Sequence, residues 1–414
     1  MMNILWKELD QIFLLKPHPW IVQTLYNHIK QLWETIERQE EPLSALIFYR
    51  TLYEEWLTLL FICIHPEKEE KAARLFQHSC QLRMNLRLKQ LYENQLAIEE
   101  SATLSSFVAT HPMNEVMRQL ERGIDNERNA FDQMAKTHMT TKSLEKDERR
   151  RRFYRYHQNG YHIETLHDLS RVLFTKEGED FYQLFYRLPS MLMHGHLCLT
   201  QESLMLIVKQ IKHTIFPYML FLTEALLTKE NGRNDLWQKE LKSQLACEEG
   251  YCFVLQSNLY HQMTQLTEQL MTKSFSNKEK VLIMRAILQM GNTWFSNAHL
   301  TKEQYQHRVV HLKKENQAFF FSPPIKEEAL KDDFVSSFSE IYPFKRAFVN
   351  EMIGLLSVYT HGIDLNKTLF FNHHPLIGSA DALESLIDET LEVIEARFLF
   401  MKDAKSILAQ KSNL

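Results

Sequence analysis

Three polar residues near the middle of the chain have the types and the spacing of a reaction site. Arg187, Ser190 and His194 are three and four residues apart, so on a helix their side chains share one face, among Leu, Met and Phe. An arginine and a histidine placed in this way suit metal-independent cleavage of RNA: the histidine transfers a proton and the arginine stabilises developing charge. A structural hydrogen-bond network inside a helical bundle fits the same trio, and both interpretations stay open at this point.

Pro189 lies inside the helix that must carry these residues. Proline has no backbone N–H and clashes with the carbonyl group four residues earlier. The sequence therefore predicts an irregular helix near Phe185, which could either open a site or bend a core helix. We call the helix that contains residues 181–194 the motif helix.

A second copy of this pattern occurs later in the chain. The sequence Ser-x-x-x-His-Gly at Ser190 recurs at Ser357 and His361, and Arg50 is echoed by Arg285 at a similar place in the preceding segment. Since the order of segments is repeated as well as one motif, the sequence predicts two tandem domains. The first spans residues 1–228, with a polar, basic insertion at about 100–160, and the second, a shorter and degenerate copy, spans 233–414.

The composition predicts that both domains are all-α helical bundles. Glycine accounts for only 10 of 414 residues, below the usual ~7%, and 44% of the residues are hydrophobic. Helices are expected from Trp20 to Arg38 and from Pro42 to His65, where apolar residues recur at helical spacing behind prolines. A net charge of −4 excludes a polycationic protein, so any nucleic-acid surface must be local.

Arg50 and Glu54 are four residues apart on the second of these helices. This spacing is typical of an ion pair within one helix, but on an apolar face it also suits a buried polar bridge to the motif helix. The echo of this pair keeps Arg285 and replaces the acid with Gln289. The network hypothesis therefore predicts that Arg50 or Glu54 lies close to the motif helix.

A basic run precedes the motif helix. Between Lys142 and Arg155, seven Lys or Arg residues stand against three Asp or Glu residues, a local charge of +4, beside Phe153 and Tyr154. Such a run could contact phosphates while the aromatic rings stack on bases, or it could be a solvated helix face. The candidate nucleic-acid contacts are Lys146, Arg149, Arg150, Arg151, Arg152 and Arg155.

No metal or cofactor site is predicted. The 19 histidines are scattered, and neither His194 with His196 nor His373 with His374 has a carboxylate partner at helical spacing. The chain has no phosphate-binding glycine loop or nucleophile elbow. The five cysteines lack Cys-x-x-Cys spacing, which favours buried free thiols. Without a leader or an apolar run of ~18 residues, the protein is expected to be cytoplasmic, with no membrane partner.

The residues Tyr182, Tyr186, Arg187, Ser190 and His194, with Arg50 and Glu54 before them, resemble a bacterial family of helical domains of unknown function. That family is similar in turn to the HEPN superfamily, named for higher eukaryotes and prokaryotes nucleotide-binding. Many HEPN proteins are ribonucleases of toxin, antiphage or RNA-processing systems, often with two protomers at one site. The resemblance implies catalytic roles for Arg187 and His194. Leu188 departs from the HEPN pattern, in which a polar residue usually follows the arginine. The second copy has Gly354 at the arginine position, so it would be a non-catalytic partner.

Two functions from different classes follow. The first is an RNA-binding or metal-independent RNA-cleaving protein of a bacterial defence or stress system, with RNA and a protein partner or second copy of the chain as partners. The second is a non-enzymatic helical interaction or regulatory module, in which the Ser-His pairs are structural. The sequence leaves open whether the protein is an enzyme.

Overall fold

The computed structural model describes residues 2–139, 146, 152–156, 163–175, 177–194, 198–199, 201–228, 251–252, 256–297, 346–359 and 384–394. The regular structure within these ranges is helical, apart from two strands of two residues each, Cys198–Leu199 and Tyr251–Cys252. The predicted all-α class is confirmed. Within these ranges, no helix is both long enough and apolar enough to cross a membrane.

We number the α-helical segments in chain order. They are α1 Met2–Phe13, α2 Trp20–Arg38, α3 Pro42–Cys63, α4 Glu69–Glu93, α5 Gln95–Glu100, α6 Ala102–Thr110, α7 Met113–Met134, α8 Leu166–Phe174, α9 Glu177–Phe181, α10 Leu188–Met193, α11 Gln201–Gln210, α12 Phe216–Thr228, α13 Gln256–Thr272, α14 Asn277–Asn297, α15 Arg346–Tyr359 and α16 384–394. Short 3₁₀ turns occur at Pro66–Lys68 and Phe153–Tyr156, and π-turns at Ala135–Met139, Tyr182–Arg187 and Ile211–Ile215.

The chain divides into two compact units, and each is drawn from separated segments. The first unit takes its residues from Met1–Asn85, Arg122–Ser190 and Leu199–Gly250. The second takes its residues from Leu86–Glu121, Met191–Cys198 and Tyr251–Leu414. The predicted division between 228 and 233 falls at the edge of residues 229–250, which lie outside the described ranges, so it stays a prediction.

Helix α3 is the centre of the first unit. All of its residues except Glu54 are buried. Pro42 occupies the first turn, where its missing N–H costs nothing, and the Glu41 side chain accepts a hydrogen bond from the backbone N–H of Leu43. A helix that is apolar on every side can only be stable when other helices surround it, and α2, α8, α11 and the π-turn at Tyr182–Arg187 all pack on α3.

Aromatic rings fill the space between these helices. Trp33 on α2 stacks on Phe216 of α12, with ring centroids 4.1 Å apart. Trp56 lies edge-on to the same Phe216, and its indole N–H donates to the hydroxyl of Thr223 at 2.9 Å. A buried indole needs such a partner, because an unpaired N–H would be desolvated without compensation.

A tight corner between α8 and α9 fixes the start of the motif helix. Thr175 has a φ of 53°, a conformation that β-branched residues rarely adopt, and it turns the chain back on itself. Gly178 then approaches α8 so closely that a Cβ atom would lie 2.3 Å from the carbonyl oxygen of Ser170. The Ser170 hydroxyl donates to the carbonyl of Gly178 at 2.7 Å and also hydrogen-bonds to the hydroxyl of Tyr53 on α3.

The motif helix is irregular where the sequence predicts it to be. Residues Tyr182–Arg187 form a π-turn that includes Phe185, and Pro189 is the second residue of α10 directly after it. The same arrangement occurs at the π-turn Ile211–Ile215, where Pro217 is the second residue of α12. In each case the carbonyl that proline cannot pair with lies inside the π-turn, so the wider turn accommodates the missing hydrogen bond.

The second unit contains a pair of adjacent helices, α13 and α14, with α15 packed on both α14 and α5. The amide of Asn94 donates to Glu351 on α15 at 3.1 Å, and the backbone N–H of Phe348 donates to Glu100 at 3.1 Å. Segments more than 240 residues apart in sequence are therefore joined within this unit.

Candidate functional site

A continuous set of polar and aromatic side chains surrounds the π-turn of the motif helix, and we call it the motif surface. Its members come from four segments of the first unit: Arg50 on α3, His167 on α8, Glu179 on α9, and Tyr182, Gln183, Tyr186 and Arg187 in the π-turn of the motif helix. The corner at Thr175 and Gly178 places α8 beside the motif helix, and the burial of α3 brings Arg50 beneath it. The fold therefore assembles side chains that lie up to 137 residues apart.

Arg50 contacts the motif helix, as the network hypothesis predicts. Only 4% of this residue is exposed, and its Nη2 donates to the hydroxyl of Tyr186 at 3.4 Å. The guanidinium carbon lies 4.8 Å from the centre of the Tyr186 ring, a cation–π distance, and Tyr186 also stacks with Tyr182, with centroids 5.4 Å apart. A buried cation thus supports a stacked pair of half-buried tyrosines.

His167 and Glu179 form a second pair that sequence reasoning missed. Nε2 of His167 hydrogen-bonds to Oε2 of Glu179, and the imidazole lies 4.8 Å from the ring of Tyr182. The His167 side chain is 30% exposed, so solutes can reach it. A histidine oriented by a carboxylate is a suitable acid–base group. The two residues lie on different helices with a strained corner between them, so no local spacing could have revealed the pair.

A hydrogen-bond chain continues from this pair along the motif helix. Nε2 of Gln183 donates to Oε1 of Glu179 at 2.8 Å, and Nη1 of Arg187 donates to the amide oxygen of Gln183 at 3.3 Å. The hydrogen bond from Gln183, followed by that from His167, lowers the pKa of the Glu179 carboxyl. Burial raises the pKa of Tyr182, so its phenol is neutral at physiological pH. The motif surface therefore combines a fixed carboxylate, the neutral phenol of Tyr182, the ring of Tyr186 and an exposed guanidinium.

The three residues first singled out as catalytic differ in exposure. Arg187 is exposed at the end of the π-turn, and Ser190 is half-buried within α10. His194 is half-buried in the turn that follows α10. The position of His194 is thus neither fully buried nor fully exposed. A catalytic role for the three residues stays a prediction.

The predicted nucleic-acid contacts are only partly within the described ranges. Lys146 is exposed, whereas Arg149, Arg150 and Arg151 lie outside these ranges. Arg155 pairs with Glu164: its Nε donates to the backbone carbonyl at 2.9 Å, and its Nη2 is 3.3 Å from the carboxylate. This arginine therefore has an internal partner in addition to any external one.

Arg152 is half-buried and lies near Tyr154 and Arg83. Burial raises the pKa of Tyr154 to about 12 and lowers the pKa of Arg83, and the charge of Arg152 acts on both groups. Phe153 packs on Phe76 of α4 with ring centroids 5.1 Å apart, which fixes this segment against the first unit. The aromatic residues of the basic run are thus partly used for packing.

The residues assigned to the second copy are placed as follows. Arg285 lies on α14 and is 5% exposed, close to the 4% of Arg50 on α3. Ser357 lies on α15. His361 lies outside the described ranges. Gly354, at the position that corresponds to Arg187, faces Arg87, whose Nη1 would lie 3.2 Å from an added Cβ atom.

Comparison with known proteins gives one match. Residues 24–203 match the model of a family of unknown function, DUF5677. No curated protein and no solved structure matches the chain at a significant level. The matched segment begins in α2, ends in α11 and includes every residue of the motif surface. The part of the chain that carries the candidate site is therefore similar to a family of unknown function.

Proposed function

We propose that the protein binds single-stranded RNA at the motif surface and cleaves it without a metal ion, as a HEPN-like component of a bacterial defence or stress system. The observation that carries this proposal is the stacked pair Tyr182–Tyr186, supported by the buried Arg50 and followed by the exposed Arg187. Tyrosine rings stack on bases of any sequence, and a nearby guanidinium attracts phosphate.

The cleavage reaction assigns a role to each residue of the original trio. The 2′-hydroxyl of a nucleotide attacks the adjacent phosphorus while a base removes its proton, and the bond from phosphorus to the 5′-oxygen breaks as an acid protonates that oxygen. His194 is one acid–base group, Arg187 stabilises the charged phosphorane, and Ser190 orients the phosphate. His167, held by Glu179 on the motif surface, is a further acid–base candidate.

Incubation of the purified protein with single-stranded RNA in the presence of EDTA tests this function. Fragments with a 2′,3′-cyclic phosphate and a 5′-hydroxyl are expected, and DNA of the same sequence should bind but stay intact. His194→Ala should abolish cleavage while RNA affinity and melting temperature change little. Arg187→Ala should lower cleavage by about 100-fold, within the ~10²–10⁴-fold range of a single catalytic group. Neutralising Arg149 to Arg152 should weaken binding and reduce its salt dependence.

One control and one binding variant separate the role of the motif surface from the loss of any surface charge. Arg74→Ala removes an exposed arginine on α4 that pairs with Glu70, so it should leave binding and cleavage unchanged. Tyr182→Ala should weaken RNA binding by roughly 10-fold, since stacking contributes ~1–3 kcal/mol per base. If the Tyr182→Ala and Arg187→Ala variants both bind RNA as tightly as the wild type, the motif surface is not the RNA site.

The domain repeat is part of the same proposal. Helix ends correspond between the two halves, because Arg38 and Thr272 end α2 and α13, and Cys63 and Asn297 end α3 and α14, each pair 234 residues apart. The near-equal burial of Arg50 and Arg285 also supports a degenerate copy. An experimental structure in which Ser190 and Ser357 lie on non-equivalent helices would contradict it.

The alternative is a non-enzymatic helical interaction or regulatory module. The pairing of Arg155 with Glu164 favours it, because a basic residue with an internal partner can serve the fold alone. In that case His194→Ala should lower stability by about 1–3 kcal/mol, the cost of leaving a buried group unsatisfied, and there should be no cleavage to lose.

A further inference from the structure

Three metal-ligating side chains meet at a place far from the motif helix in sequence. His18 lies in the segment between α1 and α2, Cys63 is the last residue of α3, and Glu69 is the first residue of α4. Nitrogen, sulfur and oxygen ligand atoms from these residues all lie within 4.8 Å of one another. Two connections of the first unit, α1–α2 and α3–α4, thus converge on one point.

The orientation of His18 matches that of a metal ligand. Its Nε2 is 2.8 Å from the backbone carbonyl oxygen of Ile12, so Nε2 carries the proton and donates it in a hydrogen bond. Metal-binding histidines usually fix the far ring nitrogen with such a backbone bond. Pro17 and Pro19 flank the residue and restrict its backbone.

The other ring nitrogen of His18, Nδ1, is directed at the carboxylate of Glu69. Nδ1 of His18 is 2.6 Å from Oε1 of Glu69. At this distance the two atoms share a proton in a hydrogen bond. Zinc would replace that proton after the two ligand atoms separate to about 3.3 Å, the spacing that bonds of ~2.0–2.1 Å give around a tetrahedral ion. The sulfur of Cys63 beside them is a third ligand.

The ligand set selects the class of metal. A thiol, an imidazole and a carboxylate together suit zinc, whereas magnesium and calcium take oxygen ligands. Three protein ligands leave one tetrahedral position for water, and the side chains of His18 and Glu69 are 11% and 12% exposed, so solvent can reach them.

We propose that His18, Cys63 and Glu69 form a binding site for one zinc ion, which links the α1–α2 connection to the end of α3 and the start of α4. No sequence pattern predicts this site, because its ligands are 45 and 6 residues apart and no pair has a helical metal-ligand spacing. The site is independent of RNA cleavage, which needs no metal.

Titration of the metal-stripped full chain with Co²⁺ tests the site. One equivalent should produce the visible absorption of tetrahedral cobalt and a thiolate-to-cobalt charge-transfer band, and Zn²⁺ should displace both. Cys63→Ser should remove the charge-transfer band. His18→Gln and Glu69→Gln should keep that band but weaken cobalt binding by at least about 10-fold. Loss of a partner that only orients a metal ligand already weakens metal binding by about 10- to 100-fold.

Matched controls come from the same unit. His78 and Glu127 form a similar pair at 2.6 Å, and Cys80 is another buried free thiol, so His78→Gln and Cys80→Ser should bind cobalt like the wild type. Zinc should also raise the melting temperature of the wild type but not of His18→Gln, because binding to the folded state alone stabilises it. No charge-transfer band in the wild type, or an unchanged band in Cys63→Ser, would overturn the proposal.

Discussion

The hydroxyl of Thr223 holds a hydrogen-bond chain in the interior of the first unit. It accepts from the indole N–H of Trp56 at 2.9 Å and donates to the carbonyl of Met219 at 2.8 Å. Thr223→Val keeps the shape of the side chain but leaves the buried indole N–H unpaired. We expect the free energy of unfolding to fall by about 1–3 kcal/mol, measured by urea denaturation.

Thr228 on the same helix provides the control. Its hydroxyl also donates to the carbonyl four residues earlier, Glu224, at 2.8 Å, but the residue is exposed. Thr228→Val should change the free energy of unfolding by less than about 0.5 kcal/mol. Equal losses in the two variants would mean that the bond to Trp56 contributes nothing.

The lowered pKa of Glu179 predicts a pH dependence of stability. Because the folded pKa lies below the unfolded value of about 4.3, the ionised carboxylate stabilises the folded state above that pH, and the contribution is lost as the pH falls through the folded pKa. Glu179→Gln should therefore be less stable than the wild type at pH 7, by under about 1 kcal/mol since the side chain is 44% exposed. The difference should vanish in acid.

Thermal unfolding of both proteins between pH 3 and pH 7 measures this difference. In a Gln183→Ala background the difference should shrink, because Gln183 is the largest cause of the lowered pKa. A gap of constant size across the whole range would show that Glu179 acts through packing instead of charge.

At the scale of residues, the sequence predicted one contact of the motif surface and missed another. The closeness of Arg50 to the motif helix follows from the need of a buried guanidinium for a partner, and Tyr186 is that partner. The pairing of His167 with Glu179 depends on the positive φ of Thr175, a residue type that gives no sign of such a conformation.

Two prolines shape helices in the same way. Pro189 and Pro217 each follow a π-turn, and each lies within a helix that continues past it. The irregularity near Phe185 was predictable because proline removes a known hydrogen bond. Its form was not, since either a kink or a π-turn can accommodate the loss.

Helix limits were predictable wherever the chain carries a local signal. Helix α2 spans Trp20–Arg38 as predicted, and α3 begins at Pro42 and ends at Cys63, two residues before the predicted end. Asn94 and Ser101 are the N-caps of α5 and α6. Both residue types favour helix starts, but residues from about 100 to 160 were predicted to be one polar insertion, and these helices were not predicted.

Helix α6 has an unusual cap in the second unit. The carboxylate of Glu389 accepts from the Ser101 hydroxyl at 2.7 Å and from the backbone N–H groups of Ala102 and Thr103 at 2.8 and 3.2 Å. A carboxylate at a helix N-terminus pairs with free N–H groups and with the positive end of the helix dipole. Glu389→Ala should lower the free energy of unfolding by about 1–3 kcal/mol in urea denaturation.

The exposed Glu392 on the same helix is the matched control. Glu392→Ala removes a carboxylate of equal charge from α16 and should leave stability within about 0.5 kcal/mol of the wild type. A similar loss in both variants would assign the effect to net charge and not to the cap.

The arrangement of the whole molecule was the least predictable level. Composition was sufficient for the helical class, because few glycines and many helix-forming residues leave little alternative. The assignment of Leu86–Glu121 to the same unit as Tyr251–Leu414 was not predictable, since contacts such as that between Asn94 and Glu351 join residues 257 apart and leave no local pattern.

The cap on α6 has a consequence for how the protein is made. Ser101 leaves the ribosome 288 residues before Glu389 does. At a synthesis rate of ~5–20 residues per second, Glu389 is made roughly 15 to 60 s after the first turn of α6, so the N–H groups of that turn lack its carboxylate during this time. During that interval the early segments of the second unit are available to chaperones, so the nascent chain should depend on them more than its fully assembled form does.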